Sequence, residues 1–331
     1  MKSSNVPLVS IICDTYNQQD YIKTTLDGFI LQKTNFPIEI IVHDDCSTDN
    51  TVSILKEYEQ KYPDLFCNIY EKENQYTKEG VGIWPDIDFP KARGKYIAFC
   101  EGDDYWIDPY KLQKQVDFLE NNSEYGMVHT DFATCNKKGR IINSSINKKK
   151  TIAEGDVRNK LIVENFVTTL TTCARRELIL EGAKLLKYGY LQADYPLWIF
   201  ISNKSKIGYI NEVTSVYRIL KGSISHAKSL TNRFEFNESK FNVIRDFLNH
   251  FEYSDEIVNK INKNYASLLL RYSIYLNSNN LLERRNRLID TANIQVSKLQ
   301  LCLTYFVKVK FFRTILFYLN KFKYFLFSRS V

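Results

Sequence analysis

Three apolar runs in the N-terminal third each end in a polar cluster. Asp14-Thr15-Tyr16-Asn17 follows Leu8 to Cys13, His43-Asp44-Asp45-Cys46-Ser47 follows Ile38 to Val42, and Glu101-Gly102-Asp103-Asp104 follows Tyr96 to Cys100. Carboxylates packed as tightly as those of the third cluster repel one another unless a cation or water neutralises them. Hard divalent cations take oxygen ligands, commonly one or two carboxylates together with substrate phosphates. Asp44 and Asp45 suit a different task, because a carboxylate at a strand end can accept the ring N–H of uracil or thymine. Tyr16 offers an aromatic face to such a base. Plain structural readings exist too: an acidic turn before the helix at Pro109, and helix capping by Ser47 or Asp49. The shared position favours chemistry, since open parallel sheets bind ligands where the loops at the carboxyl ends of their strands converge.

The elements that must position these clusters are legible as alternating patterns. Helical spacing covers Asp20 to Gln32, Asp49 to Tyr58 and Tyr110 to Leu119, and Phe66 to Tyr70 reads as a further strand. Strand–helix alternation of this kind predicts an α/β fold with a Rossmann-like, mostly parallel central sheet flanked by helices. Further on, Met127 to Ala133, Arg140 to Ile146 and Val167 to Cys173 read as strands, and Tyr195 to Ser202 as a helix. Short strands follow at Ile207 to Ile210 and Ser215 to Ile219, and beyond about residue 228 the sequence turns helical. The division expected is a first domain at 1–225 and a helical C-terminal region at 226–331.

Composition narrows the class. The chain has 331 residues, 44% hydrophobic and 25% charged, which suits a folded protein and excludes wholesale disorder. Net charge is +7, and the seven basic residues from Lys298 onward, with no acid among them, equal that whole excess. A uniformly basic surface would suggest nucleic acid; a basic aromatic tail suggests anionic lipid instead. No nucleic-acid partner is therefore expected. Leu299 to Phe327 reads either as a membrane-surface segment or as a helix packed on the protein with snorkelling lysines. Seven cysteines without a CxxC pair predict buried reduced thiols rather than disulfides or zinc. Neither a signal-like opening nor a long uncharged apolar run occurs. The expectation is a cytoplasmic protein with peripheral contact at the inner face of the cytoplasmic membrane.

Taken in order, Val9-Ser10-Ile11-Ile12 with Thr15-Tyr16-Asn17, Glu39-Ile40-Ile41-Val42 with Asp44-Asp45 and Ser47-Thr48-Asp49, and Gly94-Lys95-Tyr96-Ile97 with Glu101-Gly102-Asp103-Asp104, Asp108-Pro109 and Lys111-Leu112 resemble the family-2 inverting glycosyltransferases of the A-type fold. The resemblance spans residues 8 to about 220. It implies a nucleotide-diphospho-sugar donor, with a UDP-sugar favoured, and a glycan or lipid-linked glycan acceptor in bacterial surface polysaccharide synthesis. Thr15, Tyr16 and Asp44 are then expected to line the nucleoside pocket, with Asp45 adjacent. Glu101 and Asp103 take the outer positions of the family's DxD motif. Glu in the first position departs from the commoner Asp, so Mn²⁺ or Mg²⁺ is assigned to Asp103 and Asp104, with Glu101 reaching a ribose hydroxyl or a water. Cys13-Asp14 stands where many relatives carry a proline, and the Ala-Arg-Asn segment usually preceding the Gly-Lys-Tyr-Ile strand is missing. Gln192-Ala193-Asp194-Tyr195-Pro196-Leu197-Trp198 is similar to the family's acceptor-side helix opening, which makes Asp194 the candidate general base, with helix capping as its structural alternative. Tyr217-Arg218 and Gly222 to His226 resemble a segment that folds over the donor, so Arg218 and His226 are expected at the diphosphate.

Two other classes compete. A sugar-nucleotide pyrophosphorylase would need a glycine-rich phosphate loop near the N-terminus, and Gly28 is the only glycine before Gly80. A non-catalytic sugar-nucleotide binder or membrane scaffold would not call for the full acidic set with Asp194.

Overall fold

Residues Val9–Thr15 form β1, apolar and covered almost throughout, as a central strand with helices on both faces must be. It pairs in parallel with β2 (Ile38–Asp44) on one side and β4 (Tyr96–Phe99) on the other. A short β3 (Ile69–Tyr70) extends the sheet beyond β2. The computed structural model describes residues 6–146, 152–220, 229–292 and 294.

The remaining strands are β5 (Tyr105–Trp106), β6 (Tyr125–Cys135), β7 (Ile141–Asn143), β8 (Cys173–Arg175) and β9 (Lys206–Arg218). Sheet order is β3-β2-β1-β4-β8-β6-β9-β5, with β7 beside β6. The β3-β2-β1-β4 portion is parallel, whereas β8 runs antiparallel to both β4 and β6. Helices α1 (Ile22–Ile30), α2 (Thr51–Lys61) and α3 (Lys111–Asn121) connect the early strands. Then come α4 (Arg158–Leu161), α5 (Arg176–Ala183) and α6 (Asp194–Lys204). The α/β sheet flanked by helices is the architecture the sequence predicts; the expected parallel order holds for β3-β2-β1-β4, while β6 runs parallel to β9 but antiparallel to β7 and β8.

Two expectations change in detail. Val167 to Cys173 is not one strand: a 3₁₀ turn covers Thr169–Thr171 and pairing starts only at Cys173. The hydroxyls of Thr171 and Thr172 donate back to the carbonyls of Thr168 (2.6 Å) and Thr169 (2.8 Å), which diverts the backbone from a ladder. Conversely, the two short strands expected between residues 207 and 219 are one strand, β9, bulged where it runs along β6.

At the amino ends of the strands, a buried Glu39 carboxylate accepts from Ser10 Oγ (2.6 Å), the Arg93 backbone N–H (2.7 Å) and Arg93 Nε (2.8 Å). Ser10 Oγ in turn accepts from the Gly94 N–H at 2.8 Å. A Cβ on Gly94 would fall 2.6 Å from the Ser10 nitrogen, so only glycine permits this approach of β1 to the turn before β4.

The chain divides into units 1–220 and 221–331. In the second, α7 (Leu230–His250), α8 (Asp255–Tyr275) and α9 (Asn279–Thr291) pack around Tyr265, Leu269, Tyr272 and Leu281. Ser229 Oγ caps α7 by accepting the Asn232 N–H at 2.9 Å. Among the described residues no helix is long and apolar enough to cross a membrane. The basic tail from Lys298, and His226, lie outside the described residues.

One core residue is unusual. Lys111 is fully buried, its Nζ 4.2 Å from the centre of the Trp106 ring and donating to Gln115 Oε1 at 2.7 Å. Burial pulls its ammonium down from 10.5 to about 8. The unfolded chain holds that proton to a higher pH than the folded protein does. Stability contributed through Lys111 therefore rises with pH from about 8 to the unfolded value and is flat below about 8. The full window is worth about 3 kcal/mol. Buried thiols titrate with the opposite slope, so the measurement is a difference: urea melts of wild type and Lys111→Met across this window should diverge by a large part of that amount, wild type gaining on the variant as pH rises. Parallel pH profiles would show that Lys111 keeps its charge in the fold.

Candidate active site

The three sequence clusters meet at the carboxyl edge of the parallel strands. Thr15 and Asp44 are register partners across β1 and β2. The Asp45 N–H donates to the Thr15 carbonyl (3.0 Å), and the Gly102 N–H to the Asp14 carbonyl (3.0 Å). Gly102 packs so tightly on β1 that a Cβ there would lie 2.9 Å from Thr15 Oγ1 and 2.3 Å from Gln18 Oε1. Thr15 thus touches both the second and the third cluster.

The two loops after β1 and β2 are laced together. Asn17 N–H donates to Ser47 Oγ (2.8 Å), Thr48 N–H to Asn17 Oδ1 (2.8 Å), Gln18 N–H to Thr51 Oγ1 (2.9 Å) and Asn50 N–H to Gln19 Oε1 (2.9 Å). Ser47 is therefore a cross-loop acceptor and not a helix cap, while Asp49 does accept the Thr51 N–H at 2.9 Å. Tyr16 stands at the rim, 48% exposed, where a base could stack on it. One oxygen of Asp44 accepts the Ser47 N–H (2.9 Å); the other, Oδ1, is buried without a partner among the described residues, as is Thr15 Oγ1. Buried polar atoms are rarely left unpaired, so these two mark where a polar ligand belongs. Asp45 differs: its two oxygens accept the N–H groups of Gln75 (2.5 Å) and Tyr76 (3.1 Å), which anchors the loop after β3.

The acidic loop is held from two sides. The Thr25 hydroxyl on α1 lies 2.9 Å from the Gly102 carbonyl and 2.6 Å from that of Asp104. From β9, the Arg218 N–H donates to Asp104 Oδ1 (2.7 Å) and Arg218 Nε to the Asp103 carbonyl (2.8 Å). The Arg218 guanidinium also covers the rings of Tyr21 (4.7 Å) and Tyr105 (5.4 Å). Sequence reasoning set Arg218 at a diphosphate; in the structure it braces the loop that carries the carboxylates. Asp104 is buried and tied to that brace, whereas Asp103 is partly exposed.

Burial raises the carboxyls of Glu101, to about 8, of Asp103, and of Asp104 well above its usual value. Their neighbours reinforce the shift: Asp103, Asp194 and Asp14 all push Glu101 further up. Asp194 is the first residue of α6, held by Thr169 Oγ1 donating to its Oδ2 at 2.9 Å. Burial raises its pKa and the Thr169 bond opposes the rise. The acidic loop, with the expected ligands Asp103 and Asp104, carries hard oxygen donors of the kind a divalent cation takes, although among the described residues the one group of three metal-ligating side chains with ligand atoms within 4.8 Å of one another is Asp14, His43 and Asp88.

Trp84 is a core residue. Its ring lies 4.8 Å from that of Phe99 and its Nε1 donates to Asp14 Oδ2 at 2.7 Å. Sequence reasoning missed His43 and Asp88, both fully buried beside Asp14. Asp88 sits in an irregular turn with no periodicity to announce it, although His43 stood in the open within the second cluster.

Comparison with known proteins agrees with this geometry. Residues 10–179 match the model for glycosyl transferase family 2. An uncharacterized Mycobacterium tuberculosis protein, Rv1520, is 33% identical over 240 residues, covering 70% of this chain, which spans 64% of that relative's length. The Escherichia coli UDP-Glc:alpha-D-GlcNAc-diphosphoundecaprenol beta-1,3-glucosyltransferase WfaP is 30% identical over 67% of this chain and 81% of its own. Among solved structures, Staphylococcus aureus TarS 1-349 in complex with UDP-GlcNAc superposes with a TM-score of 0.65 at 18% identity, covering 95% of this chain and 91% of TarS 1-349. The fold is the A-type fold that the ordered motifs led us to expect, and the chain belongs to glycosyl transferase family 2.

Proposed function

We propose that this protein is an inverting glycosyltransferase, moving a sugar from a UDP-sugar to a hydroxyl of a glycan or lipid-linked glycan in bacterial surface polysaccharide synthesis. The observation that carries the reading is the contact of Thr15 with both clusters. It sets the unpaired Asp44 oxygen, an acceptor for a uracil N–H, at the same sheet edge as the Asp103 loop. The family relationship supports the transfer, and WfaP, by its name, takes UDP-Glc to a diphosphoundecaprenol-linked acceptor.

In this reading Asp44 and Thr15 hold the nucleoside and Tyr16 covers the base. Thr25 and Arg218 fix the loop that carries Asp103 and Asp104. A divalent ion bound there, Mn²⁺ or Mg²⁺, would supply positive charge to the departing diphosphate. Asp194 takes the proton of the acceptor hydroxyl as that oxygen attacks the anomeric carbon and the bond to the diphosphate oxygen breaks. Thr169 keeps the Asp194 carboxylate aimed and partly offsets the cost of burying it. In the same proposal the basic tail supplies contact with an anionic membrane surface.

Asp194→Asn should lower kcat by roughly 10²–10⁴-fold, the usual worth of a general base, with little change in donor KM. Retained turnover would assign the proton transfer elsewhere. Asp103→Ala should abolish the Mn²⁺-dependent part of UDP-sugar turnover and the thermal shift produced by UDP with Mn²⁺.

Gly102→Ala tests the Thr15 contact. Its methyl must displace Thr15 and Gln18, an overpacking cost of about 1–3 kcal/mol. We expect a folded protein with weaker UDP affinity by calorimetry; unchanged affinity would remove Thr15 from the pocket.

A further inference from the structure

On the side of β1 and β2 away from Thr15 and Asp44, a second group of titratable side chains converges. Asp14 and His43 are register partners one residue before Thr15 and Asp44. Side chains alternate faces along a strand, so this pair points opposite to the nucleoside pair. Asp88 ends a π-helical turn, Ile83–Asp88, that packs against them. His43 Nδ1 lies 3.3 Å from Asp88 Oδ1, and its Nε2 lies 3.8 Å from Glu71 Oε1. One ligand atom from each of Asp14, His43 and Asp88 falls within 4.8 Å of the other two.

The decisive feature is what these atoms lack. Apart from the 3.3 Å approach of His43 Nδ1 to Asp88 and a proton that Asp14 and Asp88 can share, both ring nitrogens of His43, both oxygens of Asp88 and Oδ1 of Asp14 are buried with no regular hydrogen bond among the described residues. His43 and Asp88 have no exposed surface at all. Each unpaired buried polar atom costs about 1–3 kcal/mol, so several pointing at one spot call for an occupant. Water, or a proton shared between the two carboxyls, would satisfy some of these atoms, but the shared proton leaves the imidazole lone pair without a partner. A divalent cation neutralises both and accepts the imidazole lone pair.

We propose that Asp14, His43 and Asp88 form a divalent-metal site separate from the acidic loop. Two carboxylates and an imidazole suit a transition-series ion such as Zn²⁺, which takes nitrogen and oxygen ligands, over Mg²⁺ or Ca²⁺. Donor atoms about 2.1 Å from one tetrahedral ion stand about 3.4 Å apart, close to the 3.3 Å between His43 Nδ1 and Asp88 Oδ1. Glu71 Oε1 stands 3.8 Å behind Nε2, placed to close on that N–H as an outer carboxylate once Nδ1 takes the ion. Trp84, donating to Asp14 Oδ2, leaves Oδ1 as the ligand atom. The ion ties the ends of β1 and β2 to the turn that precedes β4. This proposal stands independently of the transferase reading, since it concerns metal content alone.

The test uses the full chain carrying Asp103→Asn, which weakens any hold of the acidic loop on a divalent ion. After chelator treatment, Zn²⁺ alone is titrated and its content measured. One ion per chain should bind, with an imidazole nitrogen visible in zinc-edge X-ray absorption. Adding His43→Gln should abolish that ion. Glu71→Gln, which leaves every ligand in place, should weaken binding by about 10–100-fold. The absorption spectrum needs no substitution in the cluster, so misfolding of the His43 variant does not decide the outcome. An absent ion, an oxygen-only shell, or binding indifferent to Glu71→Gln would each overturn the site.

Discussion

Mutual repulsion among Glu101, Asp103 and Asp104, sharpened by their burial, is the interaction to which the rest of the first unit answers. Each carboxyl is raised mainly because water is kept from it, and Glu101 feels Asp103, Asp194 and Asp14 as well. Left to itself such a loop would swing outward into solvent. It stays because its main chain is held: Thr25 bonds two of its carbonyls, and the Gly102 N–H continues the pairing with β1. The fold stabilises the backbone and offsets the charge only through Arg218, by its N–H at Asp104 and its guanidinium through space.

Arg218 shows how carefully that balance is kept. A guanidinium within reach of a carboxylate usually pairs with it, often in a bidentate fork. Here Nε takes the Asp103 carbonyl instead, and only the Arg218 backbone N–H reaches the Asp104 carboxylate. Stacking over Tyr21 and Tyr105 holds the side chain in this posture. A cation fixed on the Asp103 carboxylate would compete with an incoming metal; one fixed on its carbonyl positions the loop and lowers the Asp103 pKa only through space.

Much of this was legible in the sequence, for identifiable reasons. Asp44, Asp103 and Asp194 could be read because strand ends and a helix start fix where such residues point, and periodicity locates those ends. Asp45 could not be separated from Asp44: its partners, Gln75 and Tyr76, lie thirty residues on in a loop without pattern. Arg218 was found, but its role depends on a contact 114 residues away in sequence. Val167 to Cys173 reads as a strand by composition, and threonine hydroxyls bonding backwards turned it into a 3₁₀ turn. Asp88 gave no signal, since neither helical nor strand spacing describes the turn that delivers it.

The same reasoning accounts for the backbone strain at the pocket's rim. Asn17 (φ 51°) and Cys46 (φ 66°) both occupy the left-handed region, where Cys in particular is disfavoured. Such residues cost of order 1–3 kcal/mol and persist only where their surroundings over-determine them. The surroundings here are the cross-loop bonds: Asn17 is fixed at its N–H and its side chain, and the residue after Cys46 donates to Asp44. Relaxing either residue would break bonds that aim the Asp44 carboxylate. Strain and lacing together keep that oxygen in place before any ligand arrives, so the cost of ordering the pocket is met during folding and is not charged against binding.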